Sequence, residues 1–179
     1  VSSCFILVRP SATGDREVLA MADCAININP TEDELVEIGL ETAATAKLFG
    51  VDPKMAYLSY STYGSGKGED VDKMRGACAK LKAIAPDLDV DGELQFDAAV
   101  SPKVAHTKCP GSSVAGHANT FIFPDINAGN IGYKIAQRLG NFEAYGPILL
   151  GLNAPINDLS RGCNASEVYS MAIITAALA

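Results

Sequence analysis

Residues 29–50, "NPTEDELVEIGLETAATAKLFG", followed closely by residues 54–61, "KMAYLSYS", set two different periods side by side. The first stretch is a capped helix by its chemistry. Thr31 stands where an N-cap belongs, and Glu34 three residues on completes a capping box. Leu35, Ile38, Thr42, Ala46 and Phe49 then recur at helical spacing to make one apolar face. Gly39 lies beside that face and lowers helix propensity without breaking the pattern, and Gly50 supplies the left-handed stop. The second stretch has the length and composition of a strand and ends in polar residues.

Working outward, the same alternation repeats. "CFILVR" (4–9) and "LAMADCAI" (19–26) are β-like runs separated by turn chemistry at "PSATGD". After "KMAYLSYS" a helix is expected over about 69–83, and "ELQFDAAV" (93–100) mixes a short strand with a helix start. "NTFIFPD" (119–125) is a strand stopped by Pro124, and a helix follows over roughly 128–140. "YGPILLG" (145–151) is the last strand, and residues 164–178 are the last helix. Strands alternating with helices of this length predict an α/β fold, a three-layer sandwich with a mostly parallel sheet and helices on both faces.

Bulk composition narrows the function classes. With 179 residues the chain is long enough for one good-sized domain with its own core. The net charge is −7, from 14 basic and 21 acidic residues, and no Lys/Arg run is present, so nucleic acid is not an expected partner. A small anion is different, because one arginine and a few backbone N–H groups suffice to hold a phosphate. No apolar run reaches the roughly 18 residues of a membrane span and no signal-peptide pattern opens the chain, so a cytoplasmic location is expected, with no membrane partner. The 5 cysteines lie far apart, without a CxxC, and are read as reduced packing residues. With 2 histidines, a His-centred metal site is not expected. The opening "VSSCFILVRP", already strand-like and without an initiator methionine, reads as the C-terminal part of a longer protein.

In open α/β sheets ligands collect at the carboxyl ends of strands, which points to three polar loops. "GSGKGED" is not a P-loop: Ser61 stands where the first Gly is needed and Gly68 follows Lys67 in place of Ser or Thr. It is either an anion-holding turn at a helix N-terminus or a loop capping that helix. "FPDINAGNIGYK" (123–134) gathers Asp125, Asn127, Asn130, Tyr133 and Lys134 around a helix start, as caps or as ligand contacts. "PINDLSRGCNASE" (155–167) is the richest. Arg161 offers a planar fork that matches phosphate bidentately, and Ser160 adds a neutral donor. Asn164 is an N-cap with Glu167 at N3 of the same capping box, so Glu167 is either a cap or a general base.

Together "ADCAININPTEDELVEIGLETAATAKLFG", "LSYSTYGSGKGEDVDKMR", "DGELQFDAAVSPKVA", "FIFPDINAGNIGYKIAQRL" and "GPILLGLNAPINDLSRGC" resemble the phosphate acetyltransferase family, in order and over essentially the whole chain. The resemblance implies an isocitrate/isopropylmalate dehydrogenase-like enzyme of two α/β domains around a cleft. Residues 1–152 would be its second domain, and 153–179 a segment and helix returning to a first domain outside this chain. It implies reversible acetyl transfer between acetyl phosphate and coenzyme A, with inorganic phosphate as the other product. Coenzyme A is then a substrate, no cofactor is permanently bound, and the enzyme is a homodimer in acetate metabolism. Ser160, Arg161 and Glu167 would be catalytic, with a glutamate where many members carry aspartate. Tyr145, Gly146, Asn157, Asn130 and Lys134 would bind substrate. These residues alone, as a fragment, are expected to turn over poorly or not at all. Two other readings stay open: a non-catalytic acyl-CoA-binding module of the same fold, and phosphate butyryltransferase-like specificity.

Overall fold

A computed structural model describes all residues from Val1 to Ala179. Six strands form one sheet in the order β4-β3-β5-β2-β1-β6. β1 (Ser2–Pro10) and β2 (Arg16–Ala22) are an antiparallel hairpin turning through 11–15, and β6 (Glu143–Leu150) pairs antiparallel with the free side of β1. β3 (Lys54–Leu58), β4 (Asp89–Leu94) and β5 (Thr120–Ile122) run parallel to β2. The mixed sheet therefore has one strand, β1, opposed to the other five.

Strand alternation divides the core into two layers, as a period of two requires. Cys4, Ile6, Ala20, Ala22, Met55, Tyr57, Ile122 and Ile148 face one side. There they meet α1 (Glu32–Leu48), α2 (Glu69–Ile84) and α6 (Ala165–Ala177). Phe5, Leu7, Met21, Ala56, Leu58 and Phe121 face the other, under α3 (Phe96–Val100), α4 (Pro102–Lys108) and α5 (Ile126–Leu139). Helices thus cover both faces, and no helix is long and apolar enough to cross a membrane.

α1 follows its expected pattern closely. Thr31 and Glu34 exchange both bonds of the capping box, and Gly50 follows the last turn at φ +74°. Gly39 has a reason beyond tolerance. A Cβ there would collide with the Tyr57 hydroxyl and Leu81, and that buried hydroxyl donates to the Leu35 carbonyl at 2.9 Å.

Three expectations need correction. The strand read inside 93–100 is β4, which begins at Asp89 and ends at Leu94, after which two short helices follow. Its start was hidden because Asp89, Asp91 and Glu93 look like loop residues. β2 stops at Ala22, not at 26, because the buried Asp23 carboxylate collects the N–H groups of Ala25, Ile26 and Asn27 into a turn. α5 starts at Ile126, not 128, because the Asp125 side chain caps it by accepting from Asn127 and Ala128 N–H.

Candidate functional site

The three polar loops have different fates. In "STYGSGKGED" the glycine N–H groups at 64 and 66 are already engaged, while the N-terminus of α2 at Gly68 has no side-chain cap. Gly64 N–H donates to the Glu93 carboxylate at 2.6 Å, Gly66 N–H donates to Ser61 Oγ at 2.9 Å, and that hydroxyl in turn donates to Glu93 at 2.9 Å. Arg75 closes the cluster on Glu93 through Nε and Nη2 at 3.0 and 3.2 Å. Burial alone would raise the Glu93 carboxyl, but Arg75, the Gly64 N–H and Ser61 outweigh it and hold it below the ordinary glutamate range. The loop is an ordered turn built around the protein's own anion. The second loop supplies the Asp125 cap and starts α5.

The third loop forms a cavity with α5. It holds about 260 Å³ and lies along the β6 edge of the sheet, between α5 on one face and α6 on the other. It does not open at the carboxyl ends of the strands, where the general rule for α/β sheets directed attention. Tyr145, Gly146 and Pro147 of β6 form its back, Lys134 and Arg138 reach in from α5, and Ser160, Gly162, Cys163 and Glu167 come from the final crossing segment and α6. Phe5, Tyr133, Leu159 and Met171 complete the apolar lining.

Local geometry explains each position. Cys163 N–H donates to the Ser160 carbonyl at 2.9 Å and Gly162 N–H to Ser160 Oγ at 3.3 Å, so residues 160–163 are one tight turn. Asn164 then caps α6. Its Oδ1 accepts from Glu167 N–H at 3.0 Å while Glu167 Oε2 accepts from Asn164 N–H at 2.8 Å. Only Oε2 is committed to this box, worth about 1 kcal/mol for such a cap. Oε1 takes no part in it, so cap and proton acceptor are compatible roles for one side chain. Gly146 has no room for a side chain, since a Cβ would sit 2.6 Å from the Phe5 ring. Tyr145 donates to Glu143 at 2.6 Å. That bond, and then burial, push its phenol up, so it stays protonated.

Five of the eight residues singled out by sequence line the cavity: Ser160, Glu167, Tyr145, Gly146 and Lys134. Asn130 sits behind it. Its Nδ2 donates to the Cys24 carbonyl at 3.0 Å and its Oδ1 accepts from Lys134 Nζ at 2.8 Å, so it aims the lysine. Asn157 is spent on structure. It accepts from the Leu149 N–H on the β6 edge and donates to Thr175 Oγ1, each at 2.8 Å, tying the crossing segment between β6 and α6. Arg161 is exposed and is not among the lining side chains. Sequence reading passed over Arg138, Phe5 and Met171. Helical spacing held a signal for two of them, because Arg138 follows Lys134, and Met171 follows Glu167, by four residues.

Against known proteins, the family described as phosphate acetyl/butaryl transferase matches residues 1–176. The chain belongs to this family. It is 56% identical over 178 residues to the phosphate acetyltransferase of Bacillus subtilis strain 168, covering 99% of this chain and 54% of that enzyme. Its fold superposes on a phosphotransacetylase from Streptococcus pyogenes with a TM-score of 0.92 and 60% identity, covering 98% of this chain and 53% of the other. A branched-chain phosphotransacylase from Enterococcus faecalis V583 is similar at a TM-score of 0.75 and 26% identity, over 99% of this chain and 63% of the other. The chain thus spans about half the length of the curated relatives it matches.

Proposed function

We propose that the protein catalyses reversible acetyl transfer between acetyl phosphate and coenzyme A, and that this chain carries one wall of its active site. One observation carries the reading. The 160–163 turn and Glu167 share a small cavity with two cations of α5, Lys134 and Arg138. The chemistry needs that pairing. The thiol of coenzyme A loses its proton to Glu167 Oε1 and its sulfur attacks the carbonyl carbon of acetyl phosphate. As the tetrahedral adduct collapses, the bond from that carbon to the bridging oxygen breaks and inorganic phosphate departs with the electron pair. Cations and the Ser160 hydroxyl stabilise the oxyanion and the leaving phosphate in a site from which water is excluded. Arg161, next to Ser160 in the turn, would swing in to clamp the phosphoryl group. Coenzyme A is a substrate here, with no permanently bound cofactor in the scheme.

The same reading takes residues 1–152 as the second α/β domain of a two-domain, isocitrate/isopropylmalate dehydrogenase-like enzyme. Residues 153–179 would be the segment returning to the first domain. Exposed Val168, Tyr169 and Ile173 on α6 support further chain on that side. The enzyme is taken to be a cytoplasmic homodimer. Identity of 60% to a phosphotransacetylase, against 26% to a branched-chain phosphotransacylase, favours acetyl over longer acyl groups.

Thioester formation from acetyl phosphate and coenzyme A by the full-length protein tests the reading. Arg161→Lys, which keeps the charge but loses the fork, is expected to lower kcat at least about tenfold. The 179 residues alone are expected to turn over far more slowly than the full-length enzyme. Near-normal kinetics for Arg161→Lys remove the clamp, and no thioester at all from the wild-type protein removes the activity.

A further inference from the structure

The cavity lining divides by chemistry, and the division follows the chain. Leu159 immediately precedes Ser160, and Met171 stands one helical turn after Glu167 on the same side of α6. Ser160 and Glu167 therefore each have an apolar neighbour on the same wall. Met171 is only 5% exposed and packs into the core with Ile148 and Ile174, so packing sets its position. On the other face of the sheet, Phe5 is equally buried and stacks on Tyr133, with ring centroids 4.0 Å apart and planes at 15°. Leu159 and Met171 thus give the cavity an apolar floor on the α6 side, and Phe5 and Tyr133 line it from the α5 side.

We propose that Leu159 and Met171 form the pocket for the acyl tail, and that Met171 limits its length. This rests on the transfer reading above and deepens it. An acyl phosphate has an anionic head, a carbonyl carbon and an apolar tail in line. With the head on Lys134 and Arg138 and the carbonyl carbon within reach of a thiol beside Glu167, the apolar floor is the part of the lining left for the tail. Met171 is held in place by the core behind it, so its side chain sets the depth of that floor.

The test measures kcat/KM of the full-length protein with acetyl, propionyl and butyryl phosphates, each with coenzyme A. Wild type is expected to prefer acetyl. One methylene in an apolar pocket is worth about 10–200-fold in discrimination, so Met171→Ala is expected to raise the butyryl-to-acetyl ratio at least tenfold. Leu159→Ala moves it in the same direction by less. Because Leu159 is only half-buried, on the turn, that variant keeps the test open should Met171→Ala fail to fold. A ratio unmoved in folded variants, with wild type making acetyl-CoA, overturns the pocket alone. Absence of any thioester with wild type overturns the transfer reading instead, and the pocket with it.

Discussion

Glu167 caps α6 and is proposed to be the base as well, two jobs on one carboxylate. Its Oε2 accepts from the N-cap backbone of α6, its Oε1 takes no part in that box, and the residue lines the cavity. Glutamine preserves an acceptor for the cap but cannot take up a proton. Glu167→Gln in the full-length protein is therefore expected to lower kcat by about 10²–10⁴-fold with the melting temperature within a degree or two of wild type. Matched losses of stability and turnover would leave only the cap. The capping box itself was legible from the Asn164–Glu167 spacing, because it is a local rule. The fate of Asn157 was not, because Leu149 and Thr175 become its neighbours only when the segment folds back over the β6 edge.

Among the elements, β4 and the loop after β3 hold each other through Glu93. That side chain is 1% exposed and accepts from Ser61, Gly64 and Arg75. Asp91 on the same strand accepts from Tyr63, Ser112 and Lys82. Burial pushes Asp91 up, yet those donors prevail and hold it low. Both carboxyls thus have folded pKa values below their unfolded ones, near 4.3 for Glu and 3.9 for Asp. Their stabilisation is complete above those values and is lost as pH falls through the folded ones. Wild type should lose melting temperature as pH drops from about 5 to 3. Glu93→Gln is expected to cost about 1–3 kcal/mol at neutral pH and to show a shallower fall over the same range. Parallel curves for the two proteins would rule Glu93 out as a contributor. The strand–helix alternation that flagged this region was readable because side-chain period depends only on backbone geometry. The acidic residues masked β4 because their partners lie 9 to 35 positions away in the chain.

For the molecule as a whole, the homodimer proposed above has a candidate face. Ile131, Ile135 and Leu139 follow one another at four-residue steps on α5 and are 57%, 53% and 81% exposed. Three large apolar side chains in one row, on a helix otherwise bearing Lys134 and Arg138, are unusual unless something covers them. Light scattering on the full-length protein is expected to give twice the chain mass, and Ile135→Asp to shift it toward the monomer without altering the circular dichroism. A wild-type monomer would end the dimer proposal, and a variant that stays dimeric would move the interface elsewhere.

The two capping boxes, most of the strand–helix alternation and the family resemblance could be read from the chain, because each depends on neighbours within a few positions or on ordered segments. Folding decided which of the three loops became a cavity. The Gly-rich loop was filled by Glu93 from another strand, while the final crossing segment was held open against α5 at the sheet's β6 edge. Those outcomes depend on contacts between residues far apart in the chain, and the strand order that creates them is set by packing two apolar faces at once, which no local pattern encodes.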